Sequence, residues 1–319
     1  MKSALVTGAG GFVGSWLCRA LVADGWQVHG TSIEASPLTA SDAFRDVQWH
    51  FGDLASGTDV EVVRRIVDAA APDAVFHLAG ISFVPAAGDD PVAALGVNAG
   101  IGVRVLEAVR RAASRAVDMP RVLFVGSAEQ YGRHEPDELP LTEISKLQPR
   151  TFYGVTKMAQ EEYGFMYHRT HGIPVIATRS FNHSGAGHAP AFVLPALVDR
   201  VIAARREGRR SIPLGNTTPI RDYLHVSDVV AAYRLLVERG TPGEAYNVCS
   251  GAGVSVLELA HEVLAAAGFD ADLVRDPALE RSVDVPALVG SNAKLRAATG
   301  WTPLKSRSDI ISDLLDAAS

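Results

Sequence analysis

Two residues able to move a proton stand four apart in Tyr153-Gly154-Val155-Thr156-Lys157. On a helix that spacing puts the phenol and the ammonium on one face. A cation beside a phenol stabilises the phenolate, which draws the tyrosine toward the range where it can give or take a proton. Tyr and Lys at this spacing are also common on ordinary helices, so the pair gains weight only from its company. Ser127 stands just after an apolar run that ends in Val125-Gly126. Thr7-Gly8-Ala9-Gly10-Gly11-Phe12-Val13-Gly14 lies between a β-type run and a helical pattern, where a dinucleotide pyrophosphate would meet a helix N-terminus. Glycines there permit a tight turn and close approach of the backbone. The plainer reading is a tight turn with close helix–sheet packing.

The elements that must hold these residues follow from the alternation of patterns. Ser3–Thr7, Gln27–Thr31, Val47–Phe51, Ala74–Leu78, Arg121–Gly126 and Val175–Arg179 read as strands. Phe12–Asp24, Asp59–Ala71, Pro91–Ser114 and Tyr153–His171 read as helices, stopped in three cases by Gly25, Pro72 and Gly172. Strands alternating with helices of this length predict βαβ units around a parallel sheet. Beyond Arg179 the rhythm loosens, with Gly, Pro and polar residues in Asn182–Pro190, Ile212–Asp222 and Asp276–Pro286. Helices are expected after Pro190, after N-caps at Ser227 and Ser255, and from Asn292 to Gly300, with a strand at Tyr246–Cys249. The expected fold class is α/β, a Rossmann-type doubly wound parallel sheet with a smaller mixed α/β C-terminal domain. Residues 1–180 form the first domain, with 222–250 returning to it, and 181–221 with 251–319 form the second.

At 319 residues the chain has room for about two domains. With 30 basic and 36 acidic residues the formal charge is −6, which argues against a nucleic-acid partner, since phosphate binding needs clustered Lys and Arg. The one basic cluster, Arg205, Arg206, Arg209 and Arg210, reads first as a solvated helix face. Cys18 and Cys249 are far apart and lack metal-ligand spacing, so free thiols in a reducing, cytoplasmic compartment are expected and no metal is. No segment reads as the ~20 apolar residues of a membrane span. The run Ser3 to Cys18 after Lys2 imitates a signal peptide, but its four glycines make a poor apolar core for one.

The end of the second strand, where a dinucleotide's ribose is read, is Gly30-Thr31-Ser32-Ile33-Glu34. Glu34 falls late for the acid that binds a 2′-hydroxyl, and no Arg or Lys is adjacent for a 2′-phosphate. Thr31 and Ser32 tolerate a phosphate, so NADH and NADPH both stay open.

The glycine turn, Gly52-Asp53-Leu54, His77-Leu78-Ala79-Gly80, Asn98, Gly126-Ser127-Ala128-Glu129-Gln130-Tyr131-Gly132 and the Tyr153 and Lys157 pair, in that order, resemble the extended short-chain dehydrogenase/reductases acting on nucleotide sugars. The resemblance implies that Ser127, Tyr153 and Lys157 are catalytic, with Glu129 at the position of the glutamate that dehydratases use. It implies a cofactor bound by Gly8, Gly10, Gly11, Phe12, Val13, Gly14, Thr31 and Ser32. Asp53 and Leu54 would flank the adenine, and Leu78, Ala79, Gly80, Asn98 and His183 would lie beside the cofactor. Alone, Asp53 would read as a turn aspartate and His183 as a structural histidine.

Arg179-Ser180-Phe181-Asn182-His183, Phe192-Val193, Gly215-Asn216, Arg221-Asp222-Tyr223, the run Tyr246 to Gly251, and Arg281-Ser282-Val283-Asp284-Val285-Pro286 resemble the branch that handles GDP-mannose derivatives. Ser82, Glu129, Asn182, Val193, Arg221, Arg281 and Asp284 are then expected to bind the GDP-sugar. A planar guanidinium suits a diphosphate, whereas either arginine alone would read as a surface ion pair. The expected reaction is NAD(P)H-dependent reduction of the C4 ketone of GDP-4-dehydro-6-deoxy-D-mannose. The alternatives are a GDP-mannose 4,6-dehydratase reaction, C4 epimerisation, or a non-enzymatic cofactor sensor. By resemblance, Pro91–Ser114 and Tyr153–His171 build a four-helix homodimer interface.

Overall fold

The computed structural model describes residues 1–56, 60–113, 119–280 and 285–318. The chain begins β1 (Ser3–Thr7), α1 (Phe12–Ala23), β2 (Gln27–Ser32), β3 (Val47–Phe51), α2 (Glu61–Ala70) and β4 (Ala74–His77). Two short helices, α3 (Val84–Asp89) and α4 (Pro91–Leu95), lead through a π turn at Gly96–Gly100 into α5 (Ile101–Ala113). Next come β5 (Arg121–Ser127), α6 (Phe152–His171), β6 (Val175–Ser180), β7 (Asn182–Ser184), α7 (Val193–Glu207), β8 (Ser211–Leu214) and β9 (Ile220–His225). The remainder is α8 (Val226–Arg239), β10 (Ala245–Val248), β11 (Gly253–Ser255), α9 (Val256–Ala266), β12 (Asp272–Arg275), β13 (Ala287–Leu288), α10 (Ala293–Thr299) and α11 (Arg307–Ala318).

Seven parallel strands form the main sheet in the order β3-β2-β1-β4-β5-β6-β10. Residue alternation in β1 explains its two covered faces: Ala4 and Val6 pack with Leu17, Leu21 and Tyr233 of α1 and α8, while Leu5 packs with Val67, Val105 and Leu106 of α2 and α5. The chain runs outward from β1 to β3 and then crosses back to β4. The switch between β1 and β4 therefore opens a crevice at their C-terminal ends, Thr7 and His77, where ligands of doubly wound sheets bind.

A smaller unit packs α7, α9 and α11 around Leu197, Val201, Leu259, Val263 and Ile311. Its small sheet joins β11, β9 and β13, with β7 also paired to β9. Within 222–250, β10 lies in the main sheet beside β6, whereas β9 belongs to the small one. Helix ends follow local chemistry: Thr151 caps α6 by accepting from the Gly154 N–H at 3.0 Å, and Gly172 ends it at φ 70°.

Four expectations need correction. α3 went unpredicted because its six residues carry Pro at the start and Gly near the end, too short a stretch to show a helical period. The helix expected over Pro91–Ser114 contains the π turn, and its last residue, like Asp59 of the expected second helix, lies outside the described residues. Continuous from Pro91 to Ala112, that helix does have the length and apolar composition of a span; half of it is buried, and it packs on α2 and α6. At α8 the cap is His225, whose ring accepts from the Ser227 N–H at 3.1 Å, not Ser227.

The basic cluster in the last turn of α7 and just beyond it is engaged with neighbouring segments. Arg205, Arg206 and Arg210 donate to the carbonyls of Ala267, Ala318 and Asp270, and Arg209 pairs with Glu207.

One buried ion pair knits several elements together. Arg179 of β6 meets Glu161 of α6 at 2.7 Å, with 7% and 6% of the two side chains exposed. Removing one partner leaves a buried unpaired charge, which typically costs about 3–5 kcal/mol. Arg179→Met should therefore lower the urea unfolding free energy by about that much, and adding Glu161→Leu should restore part of it. A single variant within about 1 kcal/mol of wild type would show that the pair is dispensable.

Candidate active site

The glycine turn after β1 is built for close contact. Gly8 sits at φ 70°, and a Cβ there would come within 2.8 Å of the Ala79 nitrogen. A Cβ on Gly14 would lie 2.3 Å from the Gly8 carbonyl oxygen. α1 has Gly11 at its N-cap, with no side-chain cap and no acid in its first turn, so its leading N–H groups keep their attraction for an anion. A dinucleotide pyrophosphate fits this cradle, because the glycines let it touch backbone and no carboxylate opposes it.

Around the cradle, several expected contact residues hold protein instead. Thr31 is buried; its hydroxyl accepts from the Gly8 N–H at 3.2 Å and its carbonyl from the Ala9 N–H at 2.9 Å. Ser32 stands closer to the crevice, within reach of Gly10, while donating to the Glu34 carbonyl at 3.0 Å. Exposed Asp53 accepts from the Ala55 N–H at 2.8 Å, as a turn aspartate does, and Leu54 is buried. Asn98 is fully buried, so it must satisfy its amide within the protein. It clamps both peptide groups of Ile81, at 2.7 and 3.2 Å, and donates to Thr156 at 2.9 Å. Asn98 thereby ties the Leu78-Ala79-Gly80 loop to α6 rather than facing the crevice.

Ser127, Tyr153 and Lys157 come together at the C-terminal end of β5. The Ser127 hydroxyl hydrogen-bonds the Tyr153 phenol, and Lys157 donates to the Val125 carbonyl at 2.9 Å and the Gln160 amide oxygen at 3.0 Å. Burial pushes the Tyr153 phenol up, the Ser127 hydroxyl pulls it down, and the Glu129 charge adds to the rise. This corrects the expectation that Lys157 draws the phenol down: here desolvation wins, and the phenol holds its proton. Burial also pushes Lys157 down to about 8. Glu129 accepts from the Thr151 hydroxyl at 3.5 Å, at the N-terminus of the helix that carries Tyr153.

Behind the serine runs a buried polar network. The Ser127 N–H donates to Gln130 at 2.9 Å, Gln130 donates to Glu161 at 2.9 Å, and Arg179 bridges Glu161 to Tyr131, whose hydroxyl reaches Asn247 at 2.7 Å. A family model described as GDP-mannose 4,6 dehydratase matches residues 5–314. The chain belongs to this family.

Relatives agree with that placement. A GDP-6-deoxy-D-mannose reductase of Pseudomonas aeruginosa is 35% identical over 234 residues, 73% of this chain and 75% of the relative. The solved structure of RMD from Pseudomonas aeruginosa complexed with NADPH superposes with a TM-score of 0.79 at 29% identity, covering 99% of this chain and 98% of that one. A Thermus thermophilus UDP-glucose 4-epimerase in complex with NAD gives 0.86 at 28% identity, covering 99% and 98%. This family member is an enzyme with the extended short-chain dehydrogenase/reductase fold.

On the far side of the crevice, Asn182 and His183 lie on β7, half-buried, and Val193 opens α7. The His183 ring nitrogen donates to the Phe181 carbonyl at 2.9 Å, and burial lowers its pKa. Ser82 is exposed. Arg221 donates to the carbonyls of Ile220 and Val285, at 2.9 and 2.7 Å. Arg281 and Asp284 lie outside the described residues. A cleft of about 300 Å³ opens beside Gly215 and Asn216, between Leu214, Leu257 and Val274.

Sequence reasoning missed three groups. The Gln130, Glu161 and Arg179 network joins residues up to 116 apart with Tyr131 and Asn247. An aromatic stack runs from Phe12 to His188 at 4.5 Å and on to Phe192 at 4.3 Å, over the first turn of α1. Gln160, three residues after Lys157, is an α6 residue whose helical spacing alone could have flagged it.

The depressed Lys157 couples stability to pH. From about 8 up to the ordinary 10.5, the unfolded chain holds the extra proton and the folded chain does not, so this group's contribution rises with pH across that window. Urea unfolding from about pH 7 to about pH 10 should show wild type gaining on Lys157→Met. Parallel profiles would mean that Lys157 titrates as in the unfolded chain.

Proposed function

We propose that this enzyme reduces the C4 ketone of GDP-4-dehydro-6-deoxy-D-mannose to GDP-D-rhamnose or its C4 epimer, using NADPH or NADH. The observation that carries the reading is the hydrogen-bonded Ser127 and Tyr153 pair beside the glycine cradle. Its likeness to a GDP-6-deoxy-D-mannose reductase adds the sugar and the base.

A bound reduced nicotinamide supplies the hydride. Gly8 to Gly14 receive the pyrophosphate, and Ser32 stands at the ribose end. Tyr153, held protonated by burial, gives its proton to the carbonyl oxygen as that oxygen becomes an alkoxide. Ser127 donates to the same oxygen, a preorganised dipole where charge develops. The Lys157 ammonium returns positive charge toward Tyr153 as the phenolate forms. Asn182, Val193, Ser82, Arg221, Arg281 and Asp284 are assigned to the sugar and diphosphate side by resemblance. Glu129 supports a second reading, a 4,6-dehydratase, because its carboxylate lies near Tyr153 and could remove the C5 proton.

An exposed apolar face supports a homodimer. Phe152, Val155 and Tyr163 share one side of α6 and remain 57%, 44% and 45% exposed, and Leu95 on adjacent α4 is 50% exposed. Free buried Cys18 and Cys249 fit a cytoplasmic location.

Mixing the protein with GDP-4-dehydro-6-deoxy-D-mannose should consume NADPH or NADH, and Tyr153→Phe should slow this by about 10²–10⁴-fold. Consumption of GDP-mannose with NADP⁺ and no net change in cofactor would favour the dehydratase instead; cofactor binding without turnover of either sugar would favour a sensor. In sedimentation, Leu95→Glu with Val155→Glu should convert a dimer to a monomer, and an unchanged mass would remove this face as the interface.

A further inference from the structure

Lys157 is buried, and among the described residues both of its hydrogen-bond partners are neutral: the Val125 carbonyl and the Gln160 amide oxygen. Gln160 is itself 1% exposed, and its amide nitrogen is buried without a partner. The Nε2 atom of His77, on β4, is a second buried and unpartnered polar atom. Both groups border the same point: a Cβ on Gly102 of α5 would lie 3.4 Å from Gln160 Cγ and 3.4 Å from His77 Nε2. The other ring nitrogen of His77 is 2.7 Å from the Thr7 hydroxyl, which also accepts from the Ala79 N–H at 3.2 Å. In the tautomer whose Nδ1–H donates to Thr7, Nε2 carries a lone pair and the ring is neutral.

We propose that Gln160 is a positioning residue for proton transfer: its amide oxygen, 3.0 Å from the Lys157 nitrogen, holds the ammonium in place. This rests on the reading of Tyr153 as the acid and Lys157 as its charged neighbour. The geometry gives the lysine a fixed acceptor with no countercharge. A carboxylate there would bind the ammonium more tightly but cancel the field that Tyr153 feels. An apolar side chain would leave a buried charge short of one hydrogen bond. The titratable groups around Lys157 are Tyr153 on its own helix, His77 from β4 and, through Tyr153, Glu129 after β5. Burial holds His77 down at about 3, so it brings no competing charge.

The test follows the Lys157 ammonium directly, by NMR of the full chain carrying isotopically labelled lysine. Only five lysines need assigning. Gln160→Met removes the acceptor and should move the Lys157 titration about one unit lower; Gln160→Glu adds charge and should move it about one unit higher. The alkaline limb of kcat for keto-sugar reduction should follow in the same two directions, with KM for the sugar unchanged. Loss of a merely structural contact would not move Met and Glu variants oppositely, and urea unfolding confirms that each variant folds. Titrations that stay at the wild-type position, or move together, overturn the proposal. Opposite shifts in a protein that reduces no GDP-sugar would keep the positioning role and discard the reductase reading.

Discussion

A guanidinium and a carboxylate almost shut off from water, Arg179 and Glu161, set the terms for the rest of the molecule. Glu161 belongs to the helix that bears Tyr153 and Lys157, and Arg179 belongs to the strand next to the one that ends in Ser127. Gln130 draws the serine's turn onto the same carboxylate, while Tyr131 and Asn247 extend the bonding to the outermost strand. Such a pair contributes little net stability, because desolvation offsets most of the attraction. Its value is specificity of position: helix, turn and three strands cannot slide relative to one another without stranding a charge.

That fixed frame lets the reactive groups be buried. In water a phenol and an ammonium titrate near each other, but here desolvation moves them apart in a useful sense. The phenol keeps its proton and the lysine is made easier to discharge. The acid for a carbonyl reduction is thus ready before substrate arrives, and the nearby ammonium matters most once the phenolate has formed. The same frame explains why the amide of Asn98 is spent on Ile81 and Thr156: the loop past Gly80 and the reactive helix must keep a constant gap.

Much of this was legible in the residues. The glycine turn, the spacing of Tyr153 and Lys157 and the strand and helix alternation are local patterns, and local patterns survive in sequence. Thr31, Asn98 and Asp53 spend side-chain hydrogen bonds on backbone, which sequence does not reveal because it tells where a residue sits and not what saturates it. The polar networks were invisible because their members meet only across the sheet: Tyr131 and Asn247, or Thr7 and His77, are neighbours by folding alone. The spacing of Tyr153 and Lys157 shows the cation but not the cost of removing water, which is what keeps the phenol protonated. Arg281 and Asp284 rest on resemblance alone.

The rings over the first turn of α1 join the two units of the fold. Phe12 lies flat against His188, which leans on Phe192, and the residue after Phe192 begins the helix at the heart of the smaller unit's core. Trp16 fastens the same loop by donating to the Ala186 carbonyl at 3.1 Å. Ring contacts of this kind are worth about 0.5–1.5 kcal/mol each, and together with the Trp16 bond they seat the loop on α1. The first turn of the cradle's helix is thus tied to the loop that leads into the smaller unit, so whatever fills the cradle rests on a helix anchored from both sides of the fold.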